Sequence, residues 1–284
     1  MITLKTAQKI AIARTVSSVV LGLRRLRGLP AQARVKRGGV WWSLDLTEGI
    51  DFSIYLLGGF EPRTLRLYST LVKPGDTVLD IGANIGAHTL PLAQLVGAGG
   101  RVIAFEPTRY AIAKLKANAA LNPELKERVC ICQAMLVGDS KDGLEREIYS
   151  SWPLFSQENQ LHPLHGGRLM ETQGARALTL DQAFADLNVK RVNFIKLDVD
   201  GNEHSVLAGA QGTLRSHHPS ILMELSPYLY ESAPQKFDEL LQMLAGLGYS
   251  LKDADSGKVL PLDPVRLRAI IPSGGTRNGL LQQS

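Results

Sequence analysis

Residues 77–106, TVLDIGANIGAHTLPLAQLVGAGGRVIAFE, decide the fold of this 284-residue chain. The apolar run that ends at Asp80 predicts a buried strand, and Gly82 and Gly86 predict a tight turn before a helix. A second apolar run predicts a strand that ends at Glu106. The order of strand, glycine turn, helix, strand and acid is that of the first half of a nucleotide-binding α/β domain.

The same turn indicates which nucleotide is bound. The dinucleotide fingerprint has glycines at its first, third and sixth positions, but counted from Gly82 the third residue is Asn84 and the sixth is Ala87. A carboxylate at Asp80 would repel a pyrophosphate, whereas it suits the cationic groups of S-adenosylmethionine. Glu106 can accept hydrogen bonds from both ribose hydroxyls. We therefore expect S-adenosylmethionine as the cofactor. The residues expected around it are Asp80, Gly82, Asn84, Gly86 and Glu106.

Strands and helices alternate through the rest of the chain, which predicts a mostly parallel sheet with helices on both faces. The later strands are expected at 128–137, 192–198, 219–224, 249–252 and 266–271, and the later helices at 109–121, 180–188, 203–214 and 234–247. Ligands bind at the carboxyl ends of such strands. Asp80, Glu106, Asp198 and Glu224 all end predicted strands, so we expect them at one edge of the sheet. Asp139, in the loop after the third strand, is expected beside the adenine ring.

Composition and charge narrow the classes of function. Hydrophobic residues make up 44% of the chain, enough for a sizeable core, and the net charge is +5, with much of the basic excess before residue 40. This distribution argues against a nucleic-acid-binding face over the whole molecule. No apolar run reaches the ~18 residues of a membrane span. Cys130 and Cys132 should point the same way on a strand, and without further ligands they are no metal site. We interpret them as reduced core thiols of a cytoplasmic protein.

The N-terminal region is expected to be an extension, residues 1–62, ahead of a cofactor-binding domain, residues 63–284. Residues 1–29 have helical periodicity with lysines and arginines around the apolar positions. Two interpretations stay open: a helix packed on the protein or a partner, or a basic amphipathic helix lying on an anionic membrane. Residues 33–57 predict a β-meander, with strands at 41–46 and 52–57.

Three segments resemble the FkbM family of S-adenosylmethionine-dependent methyltransferases. They are VLDIGANIG at 78–86, FEP at 105–107 and FIKLDVDGNE at 194–203. The likeness extends from about residue 38 to residue 225. It implies the seven-stranded, Rossmann-like class I methyltransferase fold and, most often, O-methylation of sugars, macrolides or other natural products. The family usually has Glu where Asp200 stands, which shortens that side chain by one methylene.

The expected chemistry is methyl transfer to a hydroxyl of a small molecule or glycan, with no metal and no nucleic-acid partner. Asp198 is expected beside the reacting methyl, where it would orient or deprotonate the acceptor while also bordering the cofactor. Lys196 lies on the same face of its strand and could pair with a carboxylate. Glu224 is the next candidate base. The alternatives are an NAD-dependent reductase or epimerase, and a non-catalytic module that keeps the cofactor pocket.

Overall fold

The computed structural model describes residues 6–151, 153–155, 161–162 and 166–283, with side chains from residue 11 onward. The first elements are α1 (Thr6–Leu26), β1 (Gln32–Arg37), β2 (Val40–Asp45), α2 (Gly49–Leu57) and α3 (Pro62–Leu71). The helix predicted within residues 1–29 is confirmed as α1, and residues 1–5 lie outside the described part of the chain. α1 is fastened to the end of the β1–β2 hairpin because the buried Ser17 hydroxyl donates to the Leu46 carbonyl at 2.8 Å.

The predicted β-meander is wrong in its last strand, because residues 49–57 form α2. Asp51 explains the difference. Its carboxylate is buried, accepts a hydrogen bond from the Asp45 amide at 2.7 Å and pairs with Lys114. Gly58 then ends the helix in the left-handed conformation, φ +86°. These partners are distant in sequence, so the local pattern alone favoured a strand.

From residue 77 onward, most of the predicted strands and helices are present, with β5 to β9 following one another without a helix between them in the described part of the chain. The strands are β3 (Thr77–Ile81), β4 (Arg101–Phe105), β5 (Val129–Cys132), β6 (Ala134–Leu136), β7 (Glu147–Ser150), β8 (Arg168–Glu171), β9 (Arg176–Leu178), β10 (Phe194–Leu197), β11 (Ser220–Leu225), β12 (Tyr249–Asp253), β13 (Val259–Leu260) and β14 (Arg277–Gln283). The helices are α4 (Thr89–Val96), α5 (Arg109–Ala120), α6 (Pro123–Lys126), α7 (Leu180–Asp186), α8 (Glu203–Ala208), α9 (Gln211–His217), α10 (Pro234–Gly246) and α11 (Pro264–Ile270), with a 3₁₀ turn at Pro227–Tyr230.

The main sheet has the order β13-β12-β14-β11-β10-β3-β4-β5. The five strands from β11 to β5 are parallel, and the pairings of β11 with β14, β14 with β12 and β12 with β13 are antiparallel. Seven strands are full length, and β13 adds a two-residue edge. The expected α/β, Rossmann-like class I methyltransferase fold is therefore confirmed.

Apolar side chains cover both faces of this sheet. Leu79 and Ile195 point into the core beneath α7, α9 and α10, while their neighbours Val78 and Phe194 point into the core beneath α4 and the N-terminal hairpin. Burial on both faces explains why the parallel strands read as continuous apolar runs rather than as alternating ones.

Two predicted elements are interrupted. The strand expected at 128–137 divides into β5 in the main sheet and β6, which pairs with β9 in a separate two-stranded sheet. The helix expected at 203–214 divides into α8 and α9 at Gly209. A Cβ on Gly209 would lie 2.2 Å from the Val137 carbonyl oxygen, so this close approach requires glycine.

The closing strand predicted at 266–271 is wrong, because residues 266–270 belong to α11, which ends before Ile271. Pro264 occupies the first turn, and the Asp263 carboxylate caps the helix by accepting a hydrogen bond from the Arg266 amide at 2.7 Å. The sheet is closed instead by β14, which inserts between β11 and β12.

The description of the two cysteines as core thiols is also wrong. Both are free, but Cys130 is exposed and Cys132 is half-buried. The reason is that β5 is the last strand of the sheet and only one of its edges is paired within it.

Candidate functional site

The parallel strands bring four predicted acids to one edge of the sheet. Asp80 and Glu106 stand at the ends of β3 and β4, and Asp198 and Glu224 at the ends of β10 and β11. Because β10 lies between β3 and β11, Asp198 stands between Asp80 and Glu224 along this edge. The shared location expected from the sequence is therefore present.

The glycine turn after β3 is fixed by its neighbours in the protein. Gly82 has φ +83°, and a Cβ there would lie 1.9 Å from the carbonyl oxygen of Asp198. Gly86 has φ +90°, and a Cβ there would lie 2.6 Å from Leu115. Both glycines are thus required by the fold itself, whatever ligand the turn also approaches.

Asn84 takes the place of the missing glycine of the fingerprint. Its φ of +47° lies in the left-handed region, which asparagine tolerates better than most residues. Its amide donates to Glu106 Oε2 at 3.0 Å, and its side chain accepts from the Ile85 amide and donates to Ser151. The turn therefore points a backbone donor at the acid of the next strand.

Glu106 is buried and held by both of its oxygens. Besides Asn84, the Thr108 amide donates to Oε1 at 2.9 Å and the Thr108 hydroxyl at 2.5 Å. Burial raises the pKa of this carboxyl, and the hydrogen bonds from Thr108 and Asn84 oppose the rise. A carboxylate offers about four acceptor positions, so the fixed Glu106 can still accept from a ligand hydroxyl.

Asp80 is fully buried, with one oxygen satisfied. Oδ2 accepts from the Thr89 hydroxyl at 2.6 Å, whereas Oδ1 has no hydrogen-bond partner among the residues that the structure describes. Burial raises the pKa of Asp80, and the positive charge of Lys196 opposes the rise. An unsatisfied buried acceptor is costly. Asp80 therefore fits a ligand that brings a donor, such as the ammonium group of S-adenosylmethionine.

Lys196 is the cation of the site. It is 5% exposed, and its ammonium donates to Asp198 Oδ2 at 2.7 Å. Burial alone would lower the pKa of Lys196, but the negative charges of Asp198 and Asp80 outweigh it and raise the pKa. The pair expected from the sequence is present, and the lysine stays charged.

On the other side of Asp198, carboxylates face one another. Oxygens of Asp198, Asp200 and Glu224 lie within 4.8 Å. Burial, reinforced by the charge of Asp198, raises the pKa of Asp200 to about 8 and that of Glu224 to about 8. Such a cluster could bind a cation, but the Lys196 ammonium already supplies a positive charge at Asp198.

Further residues complete the cleft beside this cluster. Its lining includes Glu61 and Thr64 before the glycine turn, and Asn278 on β14. Thr64 donates to Glu61 Oε2 at 3.0 Å, and Asn278 donates to Thr64 at 3.3 Å. The sequence analysis selected neither Glu61 nor Asn278, and Asn278 was missed because the closing strand was expected at 266–271.

His88 is another residue of this region that was not predicted from the sequence. It is buried in the glycine turn, with Nδ1 3.0 Å from the Tyr68 hydroxyl and Nε2 4.0 Å from Glu61 Oε2. Burial, together with the charge of Lys196, lowers the pKa of His88 well below its usual value. His88 is therefore neutral, and it lies behind Glu61 at the cleft.

Among the described residues, Asp139 makes its hydrogen bonds within its own loop rather than with these carboxylates. It is exposed, and its carboxylate accepts from the Lys141 amide at 2.9 Å within its own turn. Its expected place beside the adenine ring stays a prediction.

Comparison with known proteins places this site in context. Residues 80–251, more than half of the chain, match the family model described as the methyltransferase FkbM domain. The 31-O-demethyl-FK506 methyltransferase FkbM of Streptomyces tacrolimicus is 27% identical over 179 residues, which cover 54% of this chain and 66% of that protein. The matched region thus spans just under two thirds of that relative.

Two further proteins are similar, one over about half of this chain and one over most of it. The probable cobalt-precorrin-6B C(15)-methyltransferase (decarboxylating) of Saccharolobus solfataricus is 25% identical over 153 residues, which cover 49% of this chain and 71% of that protein. The solved structure of the O-methyltransferase from Bacillus cereus in complex with SAH matches at a TM-score of 0.46 and 15% identity, and covers 94% of this chain and 89% of that chain.

Proposed function

The chain belongs to the FkbM family of S-adenosylmethionine-dependent methyltransferases, and from this premise we propose that it methylates a hydroxyl oxygen on a sugar, a glycolipid or another natural product. One observation carries the proposal. The strand ends place two kinds of acid at one edge of the sheet. Glu106 is held by hydrogen bonds, whereas Asp200 and Glu224, beside Asp198, have raised pKa values. The first suits a polyol ligand such as ribose, and the second suits removal of a hydroxyl proton.

The cofactor is proposed to lie along the ends of β3 and β4. S-adenosylmethionine, when bound, supplies an electrophilic methyl on a sulfonium. The unsatisfied Asp80 oxygen would accept from its ammonium, and Glu106 from its ribose hydroxyls. The turn from Gly82 to Gly86 would border the ligand, and Asp139 would stand at the adenine end.

The acceptor is proposed to enter the cleft lined by Glu61, Lys196, Asp198 and Glu224. Asp198, held by Lys196, would accept a hydrogen bond from the acceptor hydroxyl and orient it toward the methyl. Glu224 would take the proton, since a base with a pKa near the working pH is the most effective. In-line alignment and proton removal are the two things this direct displacement requires.

The charge of the cleft supports a neutral acceptor. Three carboxylates face one another beside a single lysine that is already paired. A phosphate or carboxylate close to the reacting hydroxyl would add to their repulsion. A sugar or macrolide hydroxyl without a neighbouring anion fits better.

α1 supports an additional contact with an anionic membrane. Ile12, Val16, Val19 and Leu23 form one exposed apolar stripe, and Arg25 is exposed near its end. Within the described residues, no helix is long and apolar enough to cross a membrane.

The Val19→Glu, Leu23→Glu double variant should abolish co-sedimentation with anionic liposomes. Val259→Glu, an exposed apolar position on β13, is the control, and failure of the unaltered protein to co-sediment would refute the contact.

The main test uses the full chain and S-adenosylmethionine with an isotopically labelled methyl. A screen over neutral sugars, glycolipids and polyketides should give a product whose labelled methyl carbon resonates as a methoxy group. A methyl bonded to carbon would instead favour the reaction type named for the Saccharolobus relative. If NAD displaces the bound labelled cofactor and S-adenosylhomocysteine does not, a reductase is supported. If the cofactor binds but its methyl reaches no acceptor, a non-catalytic module is favoured. The division of the chain into an N-terminal extension, residues 1–62, and a cofactor-binding domain, residues 63–284, stays a proposal.

A further inference from the structure

Cys130 and Cys132 form a close pair of thiols at the free edge of the sheet. Their Sγ atoms lie 3.9 Å apart, Cys130 is exposed and Cys132 is half-buried. Among the described residues, no other histidine, cysteine or acid joins them in a group that could hold a metal ion. A two-thiol arrangement of this kind is suited to forming a disulfide rather than to a structural zinc site.

The surroundings of the two sulfurs shift their pKa values in opposite directions. The hydrogen bond with Cys132, assisted by the charge of Arg101, lowers the pKa of Cys130 to about 6. The same hydrogen bond and burial raise the pKa of Cys132. At neutral pH, Cys130 is therefore the exposed thiolate, which is the reactive form, and Cys132 is the thiol next to it.

The pair is joined to the cofactor side through the backbone. The Cys132 carbonyl accepts a hydrogen bond from the Glu106 amide at 3.1 Å, and Cys132 stands opposite Phe105 in the ladder between β5 and β4. Any shift of the Cys132 backbone therefore acts directly on the residue proposed to hold the ribose.

Closing a disulfide would produce such a shift. Two residues apart on an extended strand, the Cα atoms are separated by roughly 6.5 Å. This separation is near the upper limit of about 6.8 Å for disulfides, whose usual value is about 5.5–6 Å. Bond formation would therefore shorten β5 between Cys130 and Cys132 and draw the carbonyl away from Glu106.

We propose that Cys130 and Cys132 are a peroxide-sensitive dithiol whose oxidation to a disulfide loosens Glu106 and weakens cofactor binding, the second part resting on the proposed function. The Cys130 thiolate attacks a peroxide oxygen, breaks the O–O bond and becomes a sulfenic acid, while hydroxide leaves and takes up a proton to form water. The Cys132 thiol then attacks the Cys130 sulfur, and the sulfenic hydroxyl leaves as a second water. The two sulfurs lose two electrons, hydrogen peroxide gains them, and a dithiol reductant reverses the change.

The test treats the full chain with hydrogen peroxide and measures its intact mass, amide exchange and affinity. Peroxide should remove two hydrogens from the mass and speed amide exchange in the peptide containing Glu106. It should weaken S-adenosylhomocysteine binding by about tenfold, and dithiothreitol should restore all three. Cys130→Ser and Cys132→Ser, at positions outside the proposed catalytic and binding machinery, should lose all three responses but keep the affinity of the reduced protein.

Each readout can overturn the inference by itself. If no two-hydrogen loss occurs, or if it persists in Cys130→Ser, the dithiol assignment is refuted. If the disulfide forms but exchange at Glu106 is unchanged, the link to the cofactor side is refuted. If the reduced protein does not bind S-adenosylhomocysteine, the proposed function fails, while mass and exchange still decide the effect of oxidation on Glu106.

Discussion

The two halves of the site differ in how their acids are held. On the β3–β4 side, Glu106 receives three hydrogen bonds from the protein, and Asp80 receives one from Thr89. On the β10–β11 side, carboxylate oxygens of Asp198, Asp200 and Glu224 lie within 4.8 Å of one another, and the Lys196 ammonium pairs with Asp198.

This contrast shows how one sheet edge can hold two different ligands. An acid fixed by backbone donors presents its remaining acceptor positions in one geometry, which suits a cofactor that is always the same. Burial, reinforced by the charge of Asp198, raises the pKa values of Asp200 and Glu224, which suits a step that moves a proton. Variants in each half should therefore affect different measurements.

The largest effect is expected from Glu224→Gln. The amide cannot accept the proton, so single-turnover methyl transfer should fall by about 10²–10⁴-fold. The unaltered enzyme should gain activity as pH rises through about 8, because Glu224 must be ionised to act as base. A pH profile should show that this rise is absent in the variant. If the variant keeps both the rate and the rise, Glu224 is not the base, and Asp200 becomes the candidate.

Asp198→Asn should reduce transfer by about 10²-fold, since it removes the negative charge that orients the hydroxyl and that pairs with Lys196. Rapid-quench kinetics with saturating cofactor would measure the loss. The affinity for S-adenosylhomocysteine, measured by calorimetry, should change little. A large loss of affinity with normal transfer would place Asp198 in the cofactor half instead.

Glu106→Ala should weaken S-adenosylhomocysteine binding by roughly tenfold or more, because hydrogen bonds to a charged group contribute about 1.5–3 kcal/mol each. Calorimetry on the folded variant is the measurement. Glu106→Gln is the matched control, since it keeps the shape and one acceptor oxygen and should lose less. Unchanged affinity in Glu106→Ala would remove this residue from the site.

The smallest effect concerns stability. Because the folded-state pKa of Asp200 is raised to about 8, its contribution is fully present below about pH 4 and is lost as pH rises through 8. Asp200→Asn removes the charge and suits the left-handed φ of +50°. Its melting temperature should exceed that of the unaltered protein at pH 9 by roughly 2–4 °C for each kcal/mol recovered, with little difference near pH 4. An equal difference at both pH values would contradict the charge explanation.

The parallel core could be predicted from the sequence because its signals are local. Apolar runs that end in Asp80, Glu106 and Asp198 mark strands and their carboxyl ends wherever the rest of the chain goes. The errors fall where distant partners decide. Asp51 is buried in a helix because Lys114 pairs with it there, and residues 266–270 are helical because Asp263 caps their helix.

The same distinction applies to the site. Asp198 with Lys196 could be predicted because they share one strand and one face. Asn278 and His88 could not, because their neighbours Thr64 and Tyr68 come from α3, far away in sequence. The two cysteines were correctly expected to point the same way, but their exposure depends on β5 being the last strand.

The contact between Gly82 and the Asp198 carbonyl has a consequence for the evolution of the protein. Since even a methyl group at Gly82 would collide with that oxygen, the turn proposed to border the cofactor lies directly against Asp198, the residue proposed to orient the acceptor. A lineage cannot enlarge this turn to admit a different donor molecule without also displacing Asp198. New acceptors are therefore expected to arise by variation around Glu61 and Asn278, while the pivot between the two halves is inherited unchanged.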